Sequence, residues 1–338
     1  MAVGWAMVGT GRVHKLMAAA LKEAEDTRLL AVTGRTQAAA DAFAREHNIE
    51  RAYDSLDAML RDPEVNVVYV GSPNHLHCTH AVKAAEAGKH VLCEKPMAKS
   101  LKECRAIIEA CAKNGVKLGL GFMYRQHPVH LMARDIIASG RLGQLNFVKI
   151  QAEVPPEVLP RWYYEPGVAG GGVLYMYGTH RIDLLRFILG REVEEVSAFI
   201  GEHTEQRPFE EIAVAMLKFE KGLYGTAHFC LNIPCGSNGL EVHGTKGSLF
   251  CVNTTGQWFG GGGGELIVKG EKGDHQQPFP KPNLYRSEVE DFNRCIKTGG
   301  EPAATGLDGL RTAEICIGMF ESGRRGKTIK TEDLRNPG

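Results

Sequence analysis

Trp5-Ala6-Met7-Val8-Gly9-Thr10-Gly11-Arg12-Val13-His14 is the stretch on which the fold turns. Trp5 to Val8 is an apolar run that reads as a buried strand, and it stops at Gly9. From residue 12 to about residue 24 the apolar positions recur at helical spacing. A glycine pair between a strand and a helix has two uses. The first glycine permits a tight turn. The second lets backbone approach a pyrophosphate on the helix N-terminus, where unpaired N–H groups and the helix dipole favour anions. The placement predicts a dinucleotide-binding turn, with Gly9, Thr10, Gly11, Arg12 and Val13 around the phosphates. The third fingerprint position is His14 rather than Gly or Ala, so the motif is incomplete as text.

The following stretches repeat the alternation. Arg28 to Thr33 reads as a second strand, followed by an alanine-rich helix over about 37–47. Val65 to Val70 is the most continuous apolar run and reads as a buried central strand. A helix over about 77–88 ends at Gly88, and His90 to Cys93 is a further strand. A helix over 100–114 starts from Ser100 and stops before Gly115, and Lys117 to Gly121 is another strand. Strands alternating with helices at this spacing predict βαβ units and a doubly wound parallel sheet. Ser72, Pro73, Asn74 and His77 follow the central strand, at the edge where such sheets bind cofactors.

The end of the second strand bears on which cofactor is held. NAD recognition usually places an acidic residue there, on the ribose 2′-hydroxyl. Here the stretch is Ala31-Val32-Thr33-Gly34-Arg35-Thr36, and no Asp or Glu occurs between Thr27 and Ala40. Arg35 can face a 2′-phosphate, with Thr33 and Thr36 as hydroxyl donors. NADP(H) is therefore expected over NAD(H), which stays open as the alternative.

The second half reads differently. Residues 146–154 alternate in strand fashion, and Gly170-Gly171-Gly172 leads into a helix over roughly 176–189 closed by Gly190. Strand-like segments follow at 193–201, 211–219, 222–231, 239–243 and 247–252, then a run of five glycines at 260–264. Two helices, about 284–297 and 306–322, finish the chain. The expected class is α/β overall: an N-terminal Rossmann domain over 1–125, then an α+β domain over 126–338 with an open, mostly antiparallel sheet. The 338 residues suit two domains of roughly 100–200 residues each.

Composition excludes several classes. Lys+Arg and Asp+Glu each number 40, which leaves no bulk charge to draw nucleic acid or an anionic membrane. No apolar run approaches the ~20 residues that cross a bilayer. The first residues lack a basic region and a cleavage signal, so a cytoplasmic protein is expected. Nine cysteines at irregular spacing, with no CxxC, suit reduced thiols. His75, His77 and His80 spell HxHxxH, but on a strand-to-helix turn they diverge and lack acidic or cysteine partners, so no metal is expected.

Three further segments bring a resemblance into view: Ser72-Pro73-Asn74-His75-Leu76-His77, Cys93-Glu94-Lys95-Pro96, and Gly178-Thr179-His180-Arg181-Ile182-Asp183 after the glycine triplet. In this order and spacing, with the N-terminal turn, the chain resembles the glucose–fructose oxidoreductase / inositol dehydrogenase / rhizopine catabolism (Gfo/Idh/MocA) family over nearly its whole length. The resemblance implies hydride transfer between a nicotinamide and a carbinol of a sugar, cyclitol or cyclic diol. It implies a cis bond between Lys95 and Pro96, and an open sheet that mediates oligomer contacts. A homodimer or homotetramer is expected from that sheet.

Alcohol oxidation needs a hydride acceptor, a base for the hydroxyl proton, and a donor that holds the oxygen. Lys95, catalytic in the family, can hold the oxygen. His180 titrates near neutrality and matches the family's catalytic histidine, so it is the acid/base residue. Asp183, one turn on, can orient or charge-stabilise it, or can enter a capping or inter-helix ion pair instead. Glu94 can pair with the nicotinamide ribose or with Lys95. Arg125, Trp162, Tyr163, Met176, Tyr177 and Asp183 are the substrate-pocket expectations, aromatic faces suiting sugar rings and arginine a carboxylate. One departure matters. The family commonly has an aspartate four residues before the histidine, and here it is Met176, placed beside His180 if the helix is regular. A thioether cannot accept a proton. The alternative this keeps open is a redox-neutral enzyme that holds its nicotinamide tightly and performs elimination or glycoside cleavage through transient oxidation.

Overall fold

The computed structural model describes residues 2–155, 161–165, 167–202, 207–256, 263–271 and 273–335. Residues 260–262 of the glycine run lie outside the described residues. The chain divides into two compact units: Met1–Met123 with Asn283–Leu310, and Tyr124–Pro282 with Arg311–Gly338.

The first unit carries a six-stranded parallel sheet. Its strands are β1 (Val3–Val8), β2 (Thr27–Thr33), β3 (Arg51–Tyr53), β4 (Val67–Val70), β5 (His90–Cys93) and β6 (Leu118–Leu120), in the order β3-β2-β1-β4-β5-β6. Helices α1 (Arg12–Glu23), α2 (Gln37–Glu46), α3 (Leu56–Leu60), α4 (His77–Glu86) and α5 (Leu101–Lys113) connect them. Every residue of β1 and β4 is buried, which requires cover on both faces and explains their unbroken apolar runs. The order reverses between β1 and β4, the switch point where doubly wound sheets bind ligands. β3 and α3 stand where the sequence reading placed no element. Both are short. Arg51 and Tyr53 of β3 both donate to Asp62, at 2.5 and 2.9 Å, while α3 starts at a Ser55 cap and buries Met59 and Leu60.

The second unit carries α6 (Pro128–Ala138), β7 (Leu145–Glu153) and α7 (Thr179–Leu189). Then come β8 (Val193–Gly201), β9 (Ile212–Phe219), β10 (Leu223–Cys230), β11 (Asn238–Gly244), β12 (Gly247–Val252), β13 (Glu265–Gly270) and β14 (His275–Pro278). After α8 (Leu284–Thr298), the chain ends with α9 (Gly306–Arg325), β15 (Ile329–Lys330) and α10 (Thr331–Arg335). The nine-stranded sheet runs β14-β13-β12-β11-β7-β10-β9-β8-β15. It is antiparallel except where β10 pairs parallel with β7. One face of its centre is bare: Phe199, Met216, Tyr224, Val214 and Phe147 are exposed by 83, 62, 51, 41 and 38%.

The division departs from the expected 1–125 and 126–338 at one place, since Asn283–Leu310 belongs with the parallel sheet. The reason is packing. Trp5 Nε1 donates to Asn293 Oδ1 at 2.9 Å, and the Phe292 ring meets Trp5 edge-on at 5.8 Å. Sequence order cannot show a helix returning to the first sheet after ten intervening elements of the second unit.

Candidate active site

The glycine turn explains its own residues. Gly9 has φ +120°, a conformation that side chains rarely adopt, and a Cβ there would lie 2.4 Å from the His14 ring. A Cβ on Gly71 would meet the same ring at 2.8 Å. His14 is thus no broken fingerprint residue; its ring fills the space the two glycines leave. Gly11 N–H donates to His14 Nδ1 at 3.1 Å, and His14 Nε2 donates to Val8 O at 2.9 Å. Both bonds are met by the neutral ring. Burial holds its pKa down at about 4.

The turn fits a dinucleotide phosphate. Gly11 has no side chain to cap α1, and no acid stands in the first turn, so the helix N-terminus is left to an anion. Thr10 and Val13 are half-buried beside it, and Arg12 is exposed. At the end of β2, Thr33 is buried and its carbonyl accepts from Gly9 N–H at 2.8 Å. Thr36 caps α2, its hydroxyl oxygen accepting from Ala39 N–H at 3.2 Å. Arg35 is exposed, with no carboxylate within ion-pair distance among the described residues.

Two loops after β4 and β5 are tied together by His77. Its Nε2 lies 2.7 Å from Ser72 O and its Nδ1 2.8 Å from Pro96 O. Burial lowers its pKa, and the two carbonyls pull the other way. His77 was expected among the cofactor contacts. With both ring nitrogens on backbone carbonyls, it instead sets the spacing of the loops that carry Ser72, Pro73, Asn74 and Lys95. His80 bonds Ser72 Oγ at 3.0 Å, and among the described residues no group of three metal-ligating side chains forms. The Lys95–Pro96 peptide is cis. Glu94 is buried; Tyr69 O–H donates to Oε1 at 2.8 Å and Lys95 N–H to Oε2 at 3.1 Å. Burial raises its pKa, opposed first by the Lys95 charge. The Lys95 side chain is half-buried.

In the second unit His180 sits on α7, a helix buried nearly all round. A π-type turn, Leu174–Gly178, precedes it, closed by a bond from Thr179 N–H to Leu174 O. The regular spacing assumed for Met176 and His180 is therefore interrupted, and Met176, Tyr177 and His180 are all buried. Such turns recur at functional sites. The helix start is held by Glu210, whose Oε1 accepts from Gly172 N–H at 2.7 Å and Leu174 N–H at 3.1 Å. Burial raises the Glu210 pKa against these two donors. A Cβ on Gly172 would lie 2.2 Å from Glu210 O, so the last glycine of the triplet is required by close approach.

Asp183 forms an ion pair, one of the roles its sequence position left open. Arg125 Nε and Nη2 donate to its two oxygens at 2.8 and 2.6 Å, and the pair is buried. Phe187 lies 5.0 Å from that guanidinium. A bidentate pair of this kind locks α7 to the turn before α6 and occupies the face of Arg125 expected to meet a substrate carboxylate. The Tyr124 ring stands 5.0 Å from the His180 ring, and its O–H donates to Thr255 O at 2.5 Å. Arg181, 2% exposed, donates to the same carbonyl at 2.5 Å and lies 5.3 Å from the Tyr124 ring. Trp162 and Tyr163 are half-buried and stack on each other at 3.9 Å. Sequence reading missed Glu210, Tyr124 and Arg181 as site residues. Glu210 had one signal, an acid pair opening an apolar strand; the others had none.

The match to known proteins is reached from these residues. The description "Oxidoreductase family, NAD-binding Rossmann fold" matches residues 3–122, and the GFO/IDH/MocA C-terminal domain matches residues 130–250. The chain belongs to the Gfo/Idh/MocA oxidoreductase family. As a family member it is an NAD(P)-dependent oxidoreductase acting on CH–OH groups. It is 29% identical over 330 residues to a 1,5-anhydro-D-fructose reductase of Ensifer adhaerens, covering 97% of this chain and 98% of that one. It is 26% identical over 342 residues to a myo-inositol 2-dehydrogenase of Thermotoga maritima, covering 97% and 98%. An aldose-aldose oxidoreductase from Caulobacter crescentus, solved with glycerol, superposes with a TM-score of 0.88 at 28% identity, covering 98% and 100%. Among the described residues, no helix is long and apolar enough to cross a membrane.

Proposed function

We propose that this family member prefers NADP(H) and moves a hydride between the nicotinamide and a carbinol or carbonyl of a sugar, cyclitol or cyclic diol. The observation that carries the reading is one shared edge. The glycine turn, Arg35, the Ser72–Asn74 loop and Lys95 all follow the C-terminal ends of parallel strands around the switch point. The exposed, unpaired Arg35 and the missing acid after β2 support the 2′-phosphate. Relatives named for an anhydro-sugar and an inositol support the substrate class.

Gly9 to Val13 would hold the pyrophosphate, Thr33, Arg35 and Thr36 the adenosine ribose, and Ser72, Pro73, Asn74 and Glu94 the nicotinamide end. The bound nicotinamide takes or gives the hydride. Lys95 donates to the reacting oxygen, with the Glu94 carboxyl beside its charge. His180 accepts the hydroxyl proton during oxidation and returns it during reduction. Burial of the helix around it excludes water from that proton path. The Trp162–Tyr163 stack offers an apolar face to a sugar ring, and Met176 and Tyr177 shape the pocket.

Met176 favours a second reading, redox-neutral elimination or glycoside cleavage with the cofactor retained. A buried thioether stands where a proton-accepting aspartate is usual. The bare sheet face supports assembly as a homodimer or homotetramer. Its exposed apolar residues lie on adjacent strands, Phe199 opposite Val214 and Tyr224 opposite Phe147.

The test is a fluorescence titration with NADPH and NADH, then a panel of polyols and cyclic diols followed at the nicotinamide absorbance band. Tighter NADPH binding and turnover are expected. Lys95→Ala and His180→Ala should each lower kcat by about 10²–10⁴-fold while nucleotide still binds. Equal affinity for NADH would remove the NADP(H) preference. Substrate conversion with no net absorbance change would establish the second reading.

A further inference from the structure

Glu288 stands on α8, the helix that belongs with the parallel sheet although it follows the second unit in sequence. It is 6% exposed, and its Oε2 is fully buried with no hydrogen-bond partner among the described residues. An ionised carboxylate in that condition is strongly disfavoured, whereas the neutral acid is tolerated.

Its neighbour is a second carboxyl. Gly119 lies in β6, and Gly121 lies just past its end. A Cβ on Gly119 would meet the Phe292 ring at 2.8 Å, and a Cβ on Gly121 would meet the Glu94 carboxyl at 3.1 Å. On α8, Glu288 precedes Phe292 by four residues and shares its face. Lys117 Nζ donates to Gly299 O at 3.0 Å, so the end of α8 lies beside the start of β6 and Glu288 lies towards the Gly121 end, near Glu94, whose charge opposes the ionisation of Glu288. Burial is the first cause that raises both. The two surroundings still differ. Glu94 accepts from Tyr69 O–H and Lys95 N–H and lies beside the Lys95 charge, and all three favour its anion. Glu288 has neither donor nor cation.

We propose that Glu288 is the protonated member of a buried carboxyl pair, a positioning residue that leaves the single negative charge on Glu94 beside Lys95. The groups facing it are Glu94 from the loop after β5, Tyr69 from β4, and Tyr285 and Asp291 on its own helix. On α1, His14 lies behind Tyr69 at 5.6 Å. Neutral Glu288 supplies bulk without a second charge. Once it ionises at alkaline pH, two carboxylates confront each other under the nucleotide loops, and binding weakens. This consequence for binding rests on the proposed role of Glu94 and Lys95; the protonation state of Glu288 does not.

Glu288→Gln keeps the shape of the neutral acid, so it tests the charge alone. Three readouts are expected. The infrared C=O stretch of a protonated carboxyl, present in the wild type at pH 7, is lost in E288Q. The folded wild type holds a proton that the unfolded chain releases in the ordinary carboxyl range, so its Tm falls as pH rises above that range, and the fall is smaller in E288Q, where only Glu94 and Glu210 still contribute to it. NADPH affinity of the wild type weakens at alkaline pH by up to about tenfold per pH unit, and that limb is flattened in E288Q. Loss of the band with an unchanged binding limb would keep the proton assignment and remove the role assigned to Glu94. Persistence of the band in E288Q, or a Tm loss at neutral pH, would overturn the proposal. If E288Q does not fold, Glu94→Gln decides. The proposal expects the band to persist and to titrate at lower pH than in the wild type. Its complete loss would place the proton on Glu94.

Discussion

The two glycine-rich turns ahead of the site helices look alike in sequence and work in opposite ways. In the first unit, the turn from β1 to α1 is organised from within itself. Val8, Gly9, Gly11 and His14 supply the turn's strain and both hydrogen bonds of the ring within six residues of one another, and only Gly71, which leaves space for the ring, and Thr33 O, which accepts from Gly9 N–H, come from farther away. In the second, the turn into α7 is organised from far away. Glu210, about forty residues on, caps the helix start, and Arg125, nearly sixty residues back, clamps Asp183 on the next turn. A locally closed motif is legible as text. A helix whose start and face are set by distant partners is not, even when the histidine proposed as its acid/base residue is in plain view.

Breaking the distant clamp should have the largest effect. Arg125→Ala leaves Asp183 buried with its bidentate partner gone and is expected to cost about 3–5 kcal/mol in denaturant unfolding. Replacing both partners with apolar residues of similar volume should recover most of that loss. A single-variant loss below about 1 kcal/mol would mean that α7 is held otherwise.

The local turn sharpens the contrast through pH. His14 is neutral in the fold down to about pH 4, while the unfolded chain takes up a proton near 6.5. Its folded pKa is depressed, so its contribution is complete above pH 6.5 and is lost as pH falls towards 4. The difference corresponds to about 3 kcal/mol in order of magnitude. His14→Gln, which can still accept from Gly11 N–H, should flatten that part of the acid limb of stability. An unchanged acid limb would show that burial does not hold the ring neutral.

The smallest effect on the single chain concerns the two sheets. The parallel sheet is covered on both faces, whereas the mixed sheet leaves Phe199 83% exposed. Phe199→Glu should change unfolding stability by no more than about 0.5 kcal/mol. It should still shift sedimentation from an oligomer towards the monomer. A monomeric wild type would remove the assembly reading.

Much of this protein is settled by its amino-acid order. Uninterrupted apolar runs mark β1 and β4 because both faces are covered, and the glycine turn marks the anion site because its atoms come from one short segment. Glu-Lys-Pro and the histidine of Gly-Thr-His mark the residues proposed to react because side-chain chemistry is carried by residue type. Other features exist only in three dimensions. Asn283–Leu310 joins the first sheet through Trp5 and Gly119, contacts that no local pattern announces. Asp183 is paired with Arg125, His77 braces two loops, and Glu210 seats the helix of His180. Burial then makes His14 neutral and the Glu94–Glu288 pair hard to ionise twice. Desolvation and long-range pairing depend on what surrounds a group, and the chain's order does not contain its surroundings until it folds.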